Sequence, residues 1–127
     1  YNLATGDGVV IEYSTDNRNV VDPDKVWTLV GSQETGVAWY NDLNLPGKPG
    51  KQDNNFYGWA GSSQGWQTSR HSLANLVGEE RVVFRISLGS VSDPAEGFAI
   101  DNVRIGNGTR TVLLENFTNT SPSGALI

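Results

Sequence analysis

Apolar and polar residues alternate with a period of two through several short stretches of the chain, while the repeat of about 3.6 that marks amphipathic helices is nearly absent. In Val9–Ser14, Val9, Ile11 and Tyr13 fall on one side and Val10, Glu12 and Ser14 on the other. This predicts a strand, launched by the turn chemistry of Gly6-Asp7-Gly8. Lys25–Gly31 (KVWTLVG) predicts its return strand, beyond a polar loop that carries Asp16, Asp22, Pro23 and Asp24. Gly36–Tyr40 and Gly65–Leu73 predict further short strands. Arg81–Leu88 is the strongest, with Val82, Phe84, Ile86 and Leu88 on one face and Val83, Arg85 and Ser87 on the other. Leu73–Gly78 has the look of a short 3-10 turn closed by glycine, and Thr111–Phe117 predicts a last strand.

Glu96–Ile105 (EGFAIDNVRI) interrupts this regularity. Alternation puts Asp101 on the same strand face as Ala99, Val103 and Ile105, a carboxylate among core residues. Burial without a partner costs several kcal/mol at least, so the pattern calls for a cation, a loop backbone or an arginine such as Arg85 beside it.

Two loops are candidates for function. The stretch 41–55 contains Pro46, Gly47, Pro49 and Gly50 and is too long for a simple turn, and 90–96 leads into the Asp101 strand. Phe56, Tyr57, Trp59 and Trp66 cluster around the small-residue segment Gly61-Ser62-Ser63-Gln64-Gly65. An exposed aromatic face beside amides suits a sugar ring, whose CH face meets the π surface while the amides read its hydroxyls. Tyr40, Asn41, Trp59, Gln64 and Trp66 are the candidates for such a ligand surface, formed by 41–64 and 90–96. The competing reading places Trp59 and Trp66 in the core, where large aromatics mostly lie.

Composition narrows the classes. The 127 residues make one domain. The net charge of −5 comes with nine scattered Lys and Arg, which speaks against nucleic acid and anionic membranes. No apolar run reaches the roughly 18 residues of a membrane span. With no Cys and a single His, thiolate chemistry and multi-histidine metal sites are excluded, and no Gly-x-Ser-x-Gly elbow presents a serine. Asp16, Asp22 and Asp24 lack the spacing of an EF-hand loop. The chain opens at Tyr1 without Met, which is expected of a processed piece of a secreted or cell-surface protein.

In their order, DGVVIEYSTDN, KVWTLVG, WYN, GWAGSSQGW, VVFRISLGS and EGFAIDNVRI resemble the MAM-like, concanavalin-A-like modules of secreted bacterial surface proteins of the Bacteroidetes type and of immune-inhibitor-A-type peptidases. The resemblance runs from about Asp7 to Ile105. It implies an all-β, two-sheet antiparallel jelly-roll sandwich over 1–109, with 110–127 as an added strand and a connecting tail. It also implies strands ahead of Tyr1, to be supplied by another polypeptide or a precursor segment, or replaced by Arg110–Phe117. The expected function is a non-catalytic extracellular binding or adhesion module for a glycan or a cell-surface protein. The alternatives are a structural accessory domain stabilised by calcium and a glycoside hydrolase. In relatives an acid at the position of Asp101 helps hold Ca2+. Here Asn102 stands where many have a second acid, and Glu96 and Glu12 are the further candidate ligands. For the hydrolase, the carboxylate pair would come from Glu12, Glu96 and Asp101.

Overall fold

The computed structural model describes residues 1–33, 35–51, 57–91, 97–107, 109 and 111–115, with Lys51 and residues 111–115 described by their backbone. The strands are β1 (Gly8–Ser14), β2 (Thr28–Leu29), β3 (Val83–Gly89), β4 (Val103–Gly106) and β5 (Thr111–Glu115). Helix among the described residues is limited to 3-10 turns at Pro49–Lys51 and Ala74–Leu76. The fold is all-β, as the alternation predicts. Every strand pairing among the described residues is antiparallel, in a three-stranded sheet ordered β2-β1-β3 and a separate β4–β5 pair.

The register between β1 and β3 gives the sheet two unlike faces. Val9, Ile11 and Tyr13 lie opposite Leu88, Ile86 and Phe84, while Val10 and Glu12 lie opposite Ser87 and Arg85. Residues opposite one another share a face, so the first set forms an apolar front and the second a mixed back. On the front, Val9 and the half-buried Ile11, Tyr13, Phe84 and Ile86 pack toward Trp39, Trp59 and Phe98. On the back, the loop before Pro49–Lys51 closes over the sheet. Leu45 seats against Gly8 and Gly58 so closely that a Cβ on either would collide with it. Gly50, at φ 72°, brings its backbone against the Glu12 carboxylate, where a Cβ would stand 2.6 Å from Oε1. Glycine meets both demands, the left-handed conformation and the missing side chain.

Among the described residues the fold buries Asp7, whose Oδ1 accepts the Val91 N–H at 2.8 Å, and, within the sheet, Glu12. Glu12 is 3% exposed, accepts from Arg85 Nε at 2.6 Å and from Ser87 Oγ at 2.8 Å, and the Arg85 guanidinium lies 4.1 Å from the centre of the Trp27 ring. The expectation for Asp101 is corrected: its side chain is exposed. Alternation breaks at Asn102, whose φ of 53° turns the chain, so that Phe98 faces the core and regular strand begins only at Val103.

Three other predicted strands shorten for comparable reasons. KVWTLVG keeps only Thr28–Leu29 as strand. Lys25 instead folds into the loop, where its buried ammonium donates to the carbonyls of Asp16 and Arg18. Gly36–Tyr40 and Gly65–Leu73 meet in a single bridge, Val37 to Arg70, because Ala38 takes the left-handed φ of 47°. β5 pairs with β4, joining Thr111–Glu115 to the stretch that ends in Ile105 and Gly106.

Candidate functional site

The aromatic residues divide sharply between core and surface. Trp59 is 3% exposed and meets Trp39 and Tyr40 edge-on, with centroids 4.9 and 5.0 Å away, while Phe98 stacks on it at 5.8 Å. Such pairs add roughly 0.5–1.5 kcal/mol each beyond the area they bury. Trp39 closes the cluster by donating Nε1–H to the Val30 carbonyl at 2.8 Å. The Tyr40 hydroxyl donates to Ile11 O at 2.9 Å and accepts from Ile11 N at 3.0 Å, bridging the backbone of β1. Burial holds this phenol far above the usual tyrosine range.

Trp66, by contrast, is 78% exposed. It stands on the turn Ser62–Gly65, in which Gln64 has φ 56° and its N–H reaches Ser62 Oγ at 3.1 Å, while the Ser63 hydroxyl donates to Gly65 O at 2.7 Å. Beyond this turn the chain runs as Gln67, Thr68 and Ser69, and these residues with Trp66, Asp101 and Asn102 line a cleft of about 420 Å³. The Gln67 amide donates to Ala38 O at 3.1 Å, and the Ser69 hydroxyl donates to the same oxygen at 2.8 Å. Trp59 Nε1–H is a third donor to it, at 3.1 Å. The Ala38 carbonyl therefore ties the cleft to the aromatic core, and its three donors offset a backbone conformation that costs roughly 1–2 kcal/mol outside glycine.

The cleft opens into a groove of about 1120 Å³ along the front of the sheet. Ile11, Phe84 and Ile86 contribute its floor, and Trp39, Leu73 and Phe98 are among its walls. One continuous depression thus has an apolar length and a polar end marked by an indole.

Of the residues expected to hold a ligand, Trp66 and Gln64 reach the surface at this end. Tyr40 and Trp59 are corrected to scaffold, while Asn41 is exposed away from this cleft's lining. Tyr40 and Trp59 are buried, and the Asn41 amide bridges Ala60, donating to its O at 3.0 Å and accepting from its N–H at 2.8 Å. Sequence reasoning does not single out Gln67 or Ser69, and it weighs Asn102 only for the cation. Alternation predicts a strand after Trp66, whereas the run there is irregular and surface-facing, in keeping with the Gln64-Gly65 turn signal beside it.

Glu12 and Asp101, the candidate metal ligands among the described residues, do not form one site. Glu12 lies on the back of the sheet in its ion pair. Asp101 lines the cleft on the front, with Oδ1 accepting the Asn102 N–H at 2.7 Å. Glu96 lies outside the described residues. Among the described residues there is no group of three or more His, Asp or Glu placed to hold a metal, and no helix is long and apolar enough to cross a membrane. The same separation keeps Glu12 and Asp101 from acting on one substrate.

Comparison with known proteins finds no matching family model, no matching curated protein and no matching solved structure.

Proposed function

We propose that this chain is a non-catalytic binding module acting outside the cell, which holds a carbohydrate against Trp66. A single observation carries the reading. The fold takes Trp39, Tyr40 and Trp59 into its core yet leaves the Trp66 indole 78% exposed, on a braced turn, beside amides and hydroxyls. An exposed large aromatic loses contact area that burial would supply, so its place is explained by what it can stack on. A sugar ring offers an apolar face to the indole and hydroxyls to Gln67, Ser69 and Asn102. The resemblance to MAM-like jelly-roll modules supports the same class of function and the two-sheet sandwich as the frame.

Titration with a panel of oligosaccharides, read by intrinsic tryptophan fluorescence and by a glycan array, tests this. The expected result is a saturable change that Trp66→Ala abolishes while the melting temperature stays in place. No array hits and an unmoved fluorescence would remove the sugar reading.

A second reading is a structural accessory domain, favoured by the scaffold use of Tyr40 and Trp59. In it Trp66 meets a neighbouring protein surface and calcium adds stability. Melting with and without EDTA checks the cation, since a ligand bound only to the folded state must raise the midpoint.

A further inference from the structure

Among the described residues no strand pairs with the outer edge of β3. Hydrogen bonding in β1 settles which groups that edge presents. Val9 exchanges backbone bonds with Trp59, Ile11 O accepts from Val30 N, and Ile11 N donates to the Tyr40 hydroxyl, so these residues turn their backbone away from β3. Val10 and Glu12 therefore face Ser87 and Arg85, and antiparallel alternation leaves the N–H and C=O of Phe84, Ile86 and Leu88 directed outward. The same residues carry the apolar front face, and Leu88 is 43% exposed.

We propose that two copies of this chain associate through the outer edges of β3, antiparallel about a two-fold axis at Ile86. Charge selects this occupant and its register. The edge strand VFRISLG has no Pro and no Lys, devices that keep free edges from pairing, and its one charged side chain, Arg85, is held by Glu12 on the back of the sheet, so no unpaired charge guards the edge. Centring the pair on Arg85 would set two guanidinium side chains opposite each other, which is unfavourable. Centring it on Ile86 places Arg85 opposite Ser87 of the second copy and Phe84 opposite Leu88 of the second copy. The outward backbone groups then meet as hydrogen-bonded pairs, each exchanging two N–H···O bonds. The contact is isologous and closed, so it ends at a dimer.

The pairing joins the two sheets as β2-β1-β3-β3-β1-β2, with both apolar fronts on one side. Both Trp66 clefts consequently open toward the same side, the arrangement by which a repetitive ligand engages two weak sites at once. That last consequence rests on the proposed function; the dimer does not.

The chain has no Cys, so a single introduced thiol reports on the register. In the Ile86-centred pair the two residues 86 lie about 5.5 Å apart at Cα, within disulfide reach, whereas the two residues 87 lie beyond about 7 Å. Sedimentation of the wild-type full chain across a wide concentration range should show the mass doubling, and Leu88→Lys should shift the midpoint at least tenfold upward in concentration. Under mild oxidation Ile86→Cys should cross-link and Ser87→Cys should not, with circular dichroism confirming that both variants are folded. A wild-type chain that stays monomeric at millimolar concentration would overturn the proposal. So would cross-linking of Ser87→Cys in preference to Ile86→Cys, which requires another register. Loss of sugar binding with the dimer intact would count against the proposed function alone.

Discussion

The two faces of the β1–β3 sheet solve the problem of covering a strand pair in opposite ways. The back carries polar and glycine positions and is sealed: Leu45 and Pro49 are fully buried over it, and its one carboxylate is matched by Arg85 and Ser87. The front carries the better apolar residues and is left partly open along the groove. Apolar content alone therefore does not determine which surface of a small β domain is covered. What seals the back is close approach, made possible by glycine at 8, 50 and 58 and by a charge that has its partner in place.

Removing the buried charge should damage the back face most. Glu12→Ala leaves Arg85 without its counter-ion and Ser87 without its acceptor, and should cost about 3 kcal/mol in chemical denaturation. A change within 0.5 kcal/mol would mean that the back face is held by packing alone.

Next comes the front, through Tyr40→Phe. Losing the hydroxyl that bridges Ile11 N and O should cost about 2 kcal/mol. The wild type should also lose stability as pH rises above about 10, because the unfolded tyrosine ionises near its ordinary value while burial keeps the folded phenol neutral to a higher pH. The stability this group contributes is whole below that pH and declines above it; Tyr40→Phe should remove that part of the alkaline slope. An identical slope in both proteins would show that Tyr40 is not its source.

Gly50→Ala tests close approach on the back. A left-handed φ together with a Cβ against the Glu12 carboxylate should lower stability by about 1–2 kcal/mol. Combined with Glu12→Ala the cost should be less than additive, since the two changes share one contact.

Smallest of all is the effect expected at the open end of the front: Trp66→Ala should change stability by no more than about 0.5 kcal/mol. A larger loss would make Trp66 a core residue and the open end of the front a packed one.

β1 and β3 were legible in the sequence because alternation is strict there and one face of each strand meets the core. Glu12 and Asp101 were not distinguished, since period-two reasoning carries a face assignment through any residue that does not visibly break it. Asn102 breaks it by a backbone conformation that Asn tolerates but does not announce. Trp59 and Trp66 each directly follow a glycine, and their different fates depend on what packs from distant parts of the chain: Phe98 and Trp39 close on the first and nothing described closes on the second. Asn41 read as a ligand group because its amide is the right chemistry, and that chemistry is what lets it bridge Ala60 instead. The all-β class is legible because it depends on the strands that alternate cleanly.

The Ala38 carbonyl gives the open end an internal reporter. Its oxygen accepts at once from an indole inside the core and from two side chains lining the cleft. Anything that draws the Gln67 amide outward changes how that oxygen is shared with the Trp59 indole. Hydrogen–deuterium exchange at the Trp59 indole should therefore register occupancy of a cleft that this ring never touches.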